Sequence, residues 1–428
     1  MATRFLHAAD IHLGNKQYHN PERYNDFARA FERLVDDALA RRVDFLLLAG
    51  DLFHQRSIEP RTLLQASECL QRLREGGVPA IAIEGNHERP FYEEPFSWLD
   101  YLVETGLLVL LNVSYQAGEL SLPAWNGTQG AFIDLPCGVR VIGAKYYGGS
   151  TGRVVQDLAP ALATLPGPRP AFTILMMHAG IQGILDGYAA TLTRAQLDPL
   201  RPYVDYLALG HIHKPFSQDG WLYNPGSLET NSTSEVAWDD RGYLAVEIDP
   251  ALQPAHRVTP VCGQRRAFEQ LAFSVDPCEN ATAFYAALDG YLGGQATSAK
   301  VSRVPVVELL LKGRLAFNIA SLEMTRVQEM VESHFHPLVY LLKNQVTASE
   351  FEVRPSDELS RDALECFVLG ELLERDVNYR NDSARWAKMA LRLKELALER
   401  SAPGEIIAEL RAFCAELGRT AGNAHHPS

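Results

Sequence analysis

The stretch VDFLLLAGDLFH, residues 43–54, holds an apolar run too short for a helix, a glycine, and then an aspartate and a histidine. Runs of four to eight apolar residues bounded by turn signals read as buried strands. Short apolar runs of the same kind recur at Phe5–Ala9, Ala80–Ile83, Thr173–Met177 and Tyr206–Leu209, so five buried strands are expected with Phe45–Ala49. Between the first two, Phe27, Phe31, Leu34, Val35, Ala38 and Leu39 recur at helical spacing. Leu63, Leu64, Leu70 and Leu73 do so less regularly after Pro60. Strands alternating with amphipathic helices predict a layered α/β fold.

Working outward, a second small α/β unit is expected from strands at Phe268–Val275, Val304–Leu311 and Leu338–Val346, with helices at Ala281–Leu292 and Leu322–Phe335. After Pro355 the pattern turns helical, with Leu359, Ala363, Leu364, Phe367, Val368, Leu372 and Leu373 on one stripe. The expected limits are 1–250 for the main domain, 262–352 for the cap, 356–418 for the helical region and 419–428 for a disordered tail.

The 428 residues, 46% hydrophobic and 22% charged, fit a folded globular chain and exclude wholesale disorder. No apolar stretch approaches the roughly 18 residues that span a bilayer, and Asp10 comes too early for a signal peptide; a soluble cytoplasmic protein without a membrane is the expectation. Six scattered cysteines with no CxxC pair read as buried thiols, not as a zinc ribbon or a disulfide framework. The net charge of −13 argues against binding nucleic acid through overall positive potential alone.

Each of the five strands is followed at once by metal-binding side-chain types. They are Asp10 and His12, Asp51 then His54, Asn86 and His87, His178, and His211 with His213. Side chains two apart on an extended chain face the same way, so Asp10 pairs with His12 and His211 with His213. Sites in open α/β sheets form outside the carboxyl ends of the strands. Any one histidine at a strand end is more often an ordinary hydrogen-bonded residue, but nine such candidates at five ends converge on a metal site. Mixed Asp, Asn and His suit manganese, iron or zinc better than calcium or magnesium. Nine candidates exceed what one ion needs, and two ions sharing the Asp51 carboxylate is the arrangement for in-line phosphoryl displacement.

With these residues on the page, DIH at 10–12, GDLFH at 50–54, GNHE at 85–88, His178 in MMHAG and GHIH at 210–213 resemble the signatures of calcineurin-like metallophosphoesterases. DIHLG at 10–14, His54, and YNPGS at 223–227, with a cap and helical tail behind them, look most like the SbcD-type DNA repair exonucleases. The resemblance implies a four-layer α/β sandwich with a small α/β cap and a helical C-terminal tail. It implies a dimeric, two-metal DNA exonuclease, with endonuclease activity left open, Mn2+ as cofactor and an SbcC-type coiled-coil ATPase as partner. By resemblance one ion takes Asp10, His12, Asp51 and His213, and the other Asp51, Asn86, His178 and His211. His87 is then a catalytic group beside the departing oxygen, and His54 helps set up the DNA end or holds a ligand carboxylate. Glu88 stands where the family usually has Asp; if that carboxylate orients His87, the longer arm would serve as well.

Two rival functions stand beside this one: a small-molecule phosphatase or cyclic-nucleotide phosphodiesterase, and a non-catalytic scaffold of a DNA-processing complex. Lys16, Arg23, Arg56, Arg89, Lys145, Arg153 and Lys214 lie near the motifs as candidates for phosphate contact, against the plainer reading of solvated charge. Tyr146 and Tyr147 either stack on a base or pack. The helices containing Leu63 and Leu99 match the dimer-forming helices of the resembling nucleases. Leu359, Leu364, Phe367, Val368 and Leu372 would dock the ATPase, with Arg380, Arg385, Lys388, Arg392 and Lys394 touching it or phosphates.

Overall fold

A computed structural model describes residues 2–185, 187, 191–249, 251–296, 304–348, 361–374, 379, 382–399 and 401–422. Pro250, Pro355, Leu359, Arg380 and residues 423–428, all named in the sequence reading, lie outside the described residues. The chain divides into two units. One comprises Met1–Phe273, Leu288–Leu311 and Met324–Asn344; the other comprises Ser274–Ala287, Lys312–Glu323 and Gln345–Ser428.

Two six-stranded sheets build the first unit. In the first, the strands run in the order His256–Cys262, Gly242–Ile248, Thr3–Ala8, Phe45–Leu48, Ala80–Ala82 and Val109–Leu110. In the second the order is Phe216–Gln218, Leu222–Asn224, Tyr206–Gly210, Phe172–His178, Val139–Ala144 and Phe132–Asp134. All five strands expected from the sequence are present. Thr3–Ala8 pairs in parallel with Phe45–Leu48, and Tyr206–Gly210 with Phe172–His178, so their carboxyl ends share one edge of each sheet.

The two-residue period of a strand sorts these side chains into layers. Phe5, Phe45, Leu47, Ile81, Ile174, Met176, Tyr206 and Ala208 share the core between the sheets. Their neighbours Leu6, Leu46, Leu48, Ala80 and Ala82 turn outward onto Phe31, Leu34, Val35 and Ala38. On the second sheet Leu175, Met177, Leu207 and Leu209 turn outward onto Val154, Val155 and Leu158. The result is helix, sheet, sheet, helix, the four-layer sandwich expected. Each fully buried Leu, Phe or Val of these layers contributes roughly 1.5–3 kcal/mol relative to exposure.

Local signals place the first covering helix, Pro21–Arg41. Asn20 accepts a hydrogen bond from the Glu22 backbone N–H, Pro21 fits the first turn, and Arg42 ends the helix in the left-handed conformation. The second helix, Pro60–Glu75, buries Ala66, Leu70 and Leu73 on the same layer. Leu99, on the short helix Trp98–Glu104, is 1% exposed and packs in that core. It therefore cannot serve as an interface residue, whereas Leu64 on the second helix is 56% exposed.

The strands Phe268–Ser274, Val306–Leu315 and Val339–Ala348 form a separate three-stranded sheet, and the helices Ala281–Ala296 and Met324–Phe335 follow its first two strands in sequence. In the second unit, Arg361–Glu374, Ser383–Leu398 and Pro403–Gly422 are helical. Trp386 seats its ring edge-on between Tyr379 and Phe413, at 5.1 and 4.9 Å between centroids. Arg385 pairs with Glu416, Arg392 with Glu395 and Glu409, and Lys394 with Glu365. Three of the basic residues expected to meet a partner or phosphate are thus engaged within this unit.

Among the described residues no helix is long and apolar enough to cross a membrane. The cysteines divide differently from expectation: Cys69 and Cys278 are buried, but Cys262 and Cys414 are exposed.

Candidate metal centre

Three of the five strand ends expected to carry ligands turn through left-handed backbone, which is strained at His12 and His211. Asp10, His12, Asp51 and His211 adopt φ of 53°, 54°, 55° and 89°, a left-handed region that side chains other than Gly, Asn and Asp seldom occupy. Such strain persists where surrounding structure over-determines it, and it gathers at functional sites. Here the Asp10 backbone N–H donates to the Gly50 carbonyl, and those of Ile11 and His12 donate to the Asp51 carbonyl, binding the first two loops together.

Two glycines are required by close approach. A Cβ on Gly85 would lie 2.0 Å from Asp51 Oδ1, and one on Gly50 would lie 2.2 Å from His178 Nδ1. The YNPGS stretch braces the last ligand loop: the Asn224 side-chain amide donates to the Ile212 and Lys214 carbonyls at 2.6 and 2.8 Å.

All nine residues singled out from the sequence come together. Asp51 Oδ2 lies 3.3 Å from His178 Nε2, 3.9 Å from His12 Nε2 and 4.0 Å from His87 Nε2. Its other oxygen accepts from the His87 backbone N–H at 2.9 Å, which leaves Oδ2 turned into the cluster. Both Asp10 oxygens accept from the His211 backbone N–H, at 3.2 and 3.0 Å, and His213 Nε2 is 3.8 Å from Oδ1. Asn86 Oδ1 lies 3.0 Å from His178 Nε2 and 2.9 Å from His211 Nδ1. His54 Nδ1 is 3.4 Å from His12 Nδ1, and its ring stacks on His87 with centroids 5.3 Å apart.

These contacts test the fit of a cation. His178 Nδ1 donates to the Ala49 carbonyl at 2.8 Å, and His213 Nδ1 donates to Glu235 Oε1 at 2.7 Å. Those acceptors fix both tautomers and turn the Nε2 lone pairs inward. His213 Nε2 then faces His12 Nε2 at 3.0 Å, and His178 Nε2 faces the Asn86 amide oxygen. Lone pairs that converge in this way need a proton or a cation between them. Among the described residues three groups satisfy the spacing of a metal site: Asp10 with His12 and His213, Asp10 with Asp51 and His178, and His12 with His54 and His87. Mixed nitrogen and oxygen donors of this kind suit divalent ions.

The electrostatics agree. Burial alone would raise both carboxyls; it pushes Asp10 up to about 6, while the adjacent His178 overrides it at Asp51 and holds that group well below the usual range. His178 resists its own burial through the Asp51 charge and rises to about 9, whereas burial drives His12 far down.

Two sequence readings need correction. Glu88 does not orient His87; its buried carboxylate accepts from the backbone N–H groups of Asp51, Phe53 and Gly85 at 3.1, 2.8 and 3.0 Å, fastening the Asp51 loop. The His87 ring is set instead by the His54 carbonyl, 2.7 Å from Nδ1. Arg23 cannot reach a phosphate, since it is fully buried and paired with Asp26 and Glu229. Tyr147 packs, donating to Asn112 Oδ1 and the Val113 carbonyl, while the Tyr146 ring lies 5.2 Å from that of His211. Lys16 pairs with Glu59, Lys145 with Glu84 and Arg153 with Asp157. Glu235, which contacts His213, escaped sequence reading because no motif or spacing marks it.

The family model for calcineurin-like phosphoesterases matches residues 3–215, which hold every residue of the cluster except Glu235. Residues 3–215 are similar to a calcineurin-like phosphoesterase domain. Its curated relatives include the DNA double-strand break repair protein Mre11 of Archaeoglobus fulgidus, 31% identical over 55% of this chain and 52% of that protein. The protein of the same name from Haloferax volcanii is 47% identical over 58% of this chain and 50% of its own. The one from Methanosarcina acetivorans is 29% identical over 64% of this chain and 43% of its own. The chain spans about half the length of the curated relatives it matches. The segment matched by the family model thus has its ligand-type residues gathered at the carboxyl ends of the strands of its two sheets.

Proposed function

We propose that the protein is a metal-dependent DNA nuclease, an exonuclease acting in DNA end processing and repair in the cytoplasm. The observation that carries the reading is the arrangement at Asp51: three histidines face its Oδ2, and one of them, His87, remains 37% exposed at the side chain. On this reading Asp10, His12, Asp51 and His213 hold one ion and Asp51, Asn86, His178 and His211 the other, with Mn2+ as the metal. Bound divalent ions supply the Lewis acidity that phosphodiester hydrolysis needs. His87, oriented through its Nδ1, presents Nε2 toward the reacting phosphate and holds a proton for the departing sugar oxygen. His54 stacks against His87 and limits its rotation.

DNA as substrate is supported by the similarity to DNA double-strand break repair proteins. In a side-by-side assay with Mn2+, end-labelled DNA is expected to be degraded faster than a chromogenic phosphodiester. Hydrolysis of the small ester with intact DNA would instead favour the small-molecule phosphodiesterase reading.

The domain limits 1–250, 262–352 and 356–418 are proposed as nuclease, DNA-binding cap and partner-binding regions. The helix Arg361–Glu374 exposes Phe367, Val368 and Leu372, an apolar face suited to docking a coiled-coil ATPase. A homodimer is proposed through Leu64, Trp98 and Tyr101, the exposed apolar side chains of the helices Pro60–Glu75 and Trp98–Glu104. Light scattering should report a dimer for the parent and a folded monomer for Leu64→Asp with Trp98→Asp. An unchanged dimer rejects this surface.

A further inference from the structure

Fixing the His213 ring requires an acceptor at Nδ1, and the neighbouring rings show how the site usually supplies one. His178 and His87 both direct Nδ1 to a backbone carbonyl, those of Ala49 and His54. His213 instead uses a carboxylate, Glu235 Oε1, at 2.7 Å. Glu235 lies in the turn Thr233–Glu235, outside the residues matched by the family model, and it is itself buried.

The other oxygen of Glu235 is held separately. Oε2 accepts from the Asn231 backbone N–H at 2.9 Å and from Arg241 at 2.8 Å. Arg241, fully enclosed, also donates to Ser227 Oγ at 3.1 Å and Thr230 Oγ1 at 3.0 Å. From Thr230 the chain of buried polar groups continues. The Thr230 carbonyl accepts from Arg23 at 2.9 Å, Arg23 binds Asp26 at 2.6 Å, and Asp26 takes a two-pronged contact from Arg266 at 2.6 and 3.0 Å. Asn15 and Gln17, just beyond His12, close the loop by donating to the Asn231 side-chain and backbone oxygens at 2.9 and 2.8 Å. A carboxylate so tightly held cannot follow the imidazole; the imidazole must follow it.

We propose that Glu235 is a positioning residue of the metal centre: anchored by Arg241 and the Asn231 backbone, it fixes the His213 tautomer and turns Nε2 toward His12 and Asp10. The inference rests on the reading of His213 as a metal ligand and deepens it. A carboxylate on the far nitrogen of a ligating imidazole also raises its basicity, and losing such a partner typically lowers metal affinity by about 10–100-fold.

The test is calorimetric titration of the full-length, metal-stripped protein with Mn2+ alone. Glu235→Ala is expected to weaken one of two binding events by about 10–100-fold and leave the other unchanged. Arg241→Met, which removes one anchor but keeps the carboxylate beside His213 and the Asn231 backbone N–H that holds it, should lower the thermal midpoint of the metal-free protein and weaken the same binding event by less than Glu235→Ala does. The visible bands of the Co2+-loaded protein should shift more with Glu235→Ala than with Arg241→Met. If Glu235→Ala does not fold, the pair Glu235→Met with Arg241→Met strands no buried charge and reads the same loss. Unchanged Mn2+ affinity in a folded Glu235 variant overturns the proposal, as does equal weakening by Arg241→Met. A parent protein that binds no Mn2+ defeats the metal-centre reading itself.

Discussion

Asp51→Asn is expected to yield a folded protein that no longer retains two Mn2+ ions and whose DNA cleavage falls by about 10³ or more, since such ions contribute several kcal/mol to the reaction. Asp51 Oδ2 lies within 4.0 Å of His12, His87 and His178, so its charge serves both halves of the cluster. The substitution is nearly isosteric. Its Oδ1 can still accept from the His87 backbone N–H, and Glu88 still holds the loop through the residue 51, Phe53 and Gly85 backbones. The measurements are metal content after dialysis, circular dichroism and turnover on end-labelled DNA. Two retained ions with parental turnover would remove Asp51 from the bridging position.

His87→Ala should separate binding from chemistry. The two proposed ligand sets are complete without this ring, so metal content and KM for DNA should stay close to the parent while kcat drops by about 10²–10⁴, the range for loss of a general acid. The geometry supports the split. His87 Nδ1 is engaged by the His54 carbonyl, and Nε2 stands 4.0 Å from the Asp51 carboxylate on the exposed side of the site. A variant with near-normal kcat would refute the catalytic assignment, and loss of one ion would recast His87 as a ligand.

The pattern of residues 43–54 and its four repeats was enough to place the strands and the nine side chains at their ends. A strand has a period of two, and a parallel sheet aligns its carboxyl ends, so a motif that directly follows an apolar run is carried to the same edge as its counterparts. Those relations are local in sequence. The apolar stripe of the first helix was legible for the same reason.

What the sequence left undecided depends on partners chosen across long separations. Arg23 looked like a candidate for phosphate because it follows a motif, but packing encloses it and pairs it with Glu229, 206 positions away. Leu99 and Leu64 are equally apolar, yet one is sealed under the first sheet and the other faces outward; helical spacing defines a face without naming what covers it. Glu88, one residue from His87, turns away to three backbone N–H groups because the loop at 51–53 offers donors there. Glu235 reaches His213 over 22 positions through an irregular loop. The sequence by itself determined the sheet ends and the donor types upon them, because covalent spacing and strand period govern both. Only the tertiary structure decided which carboxylate steers which imidazole, because a buried charge takes whichever partner the folded packing brings within hydrogen-bonding distance.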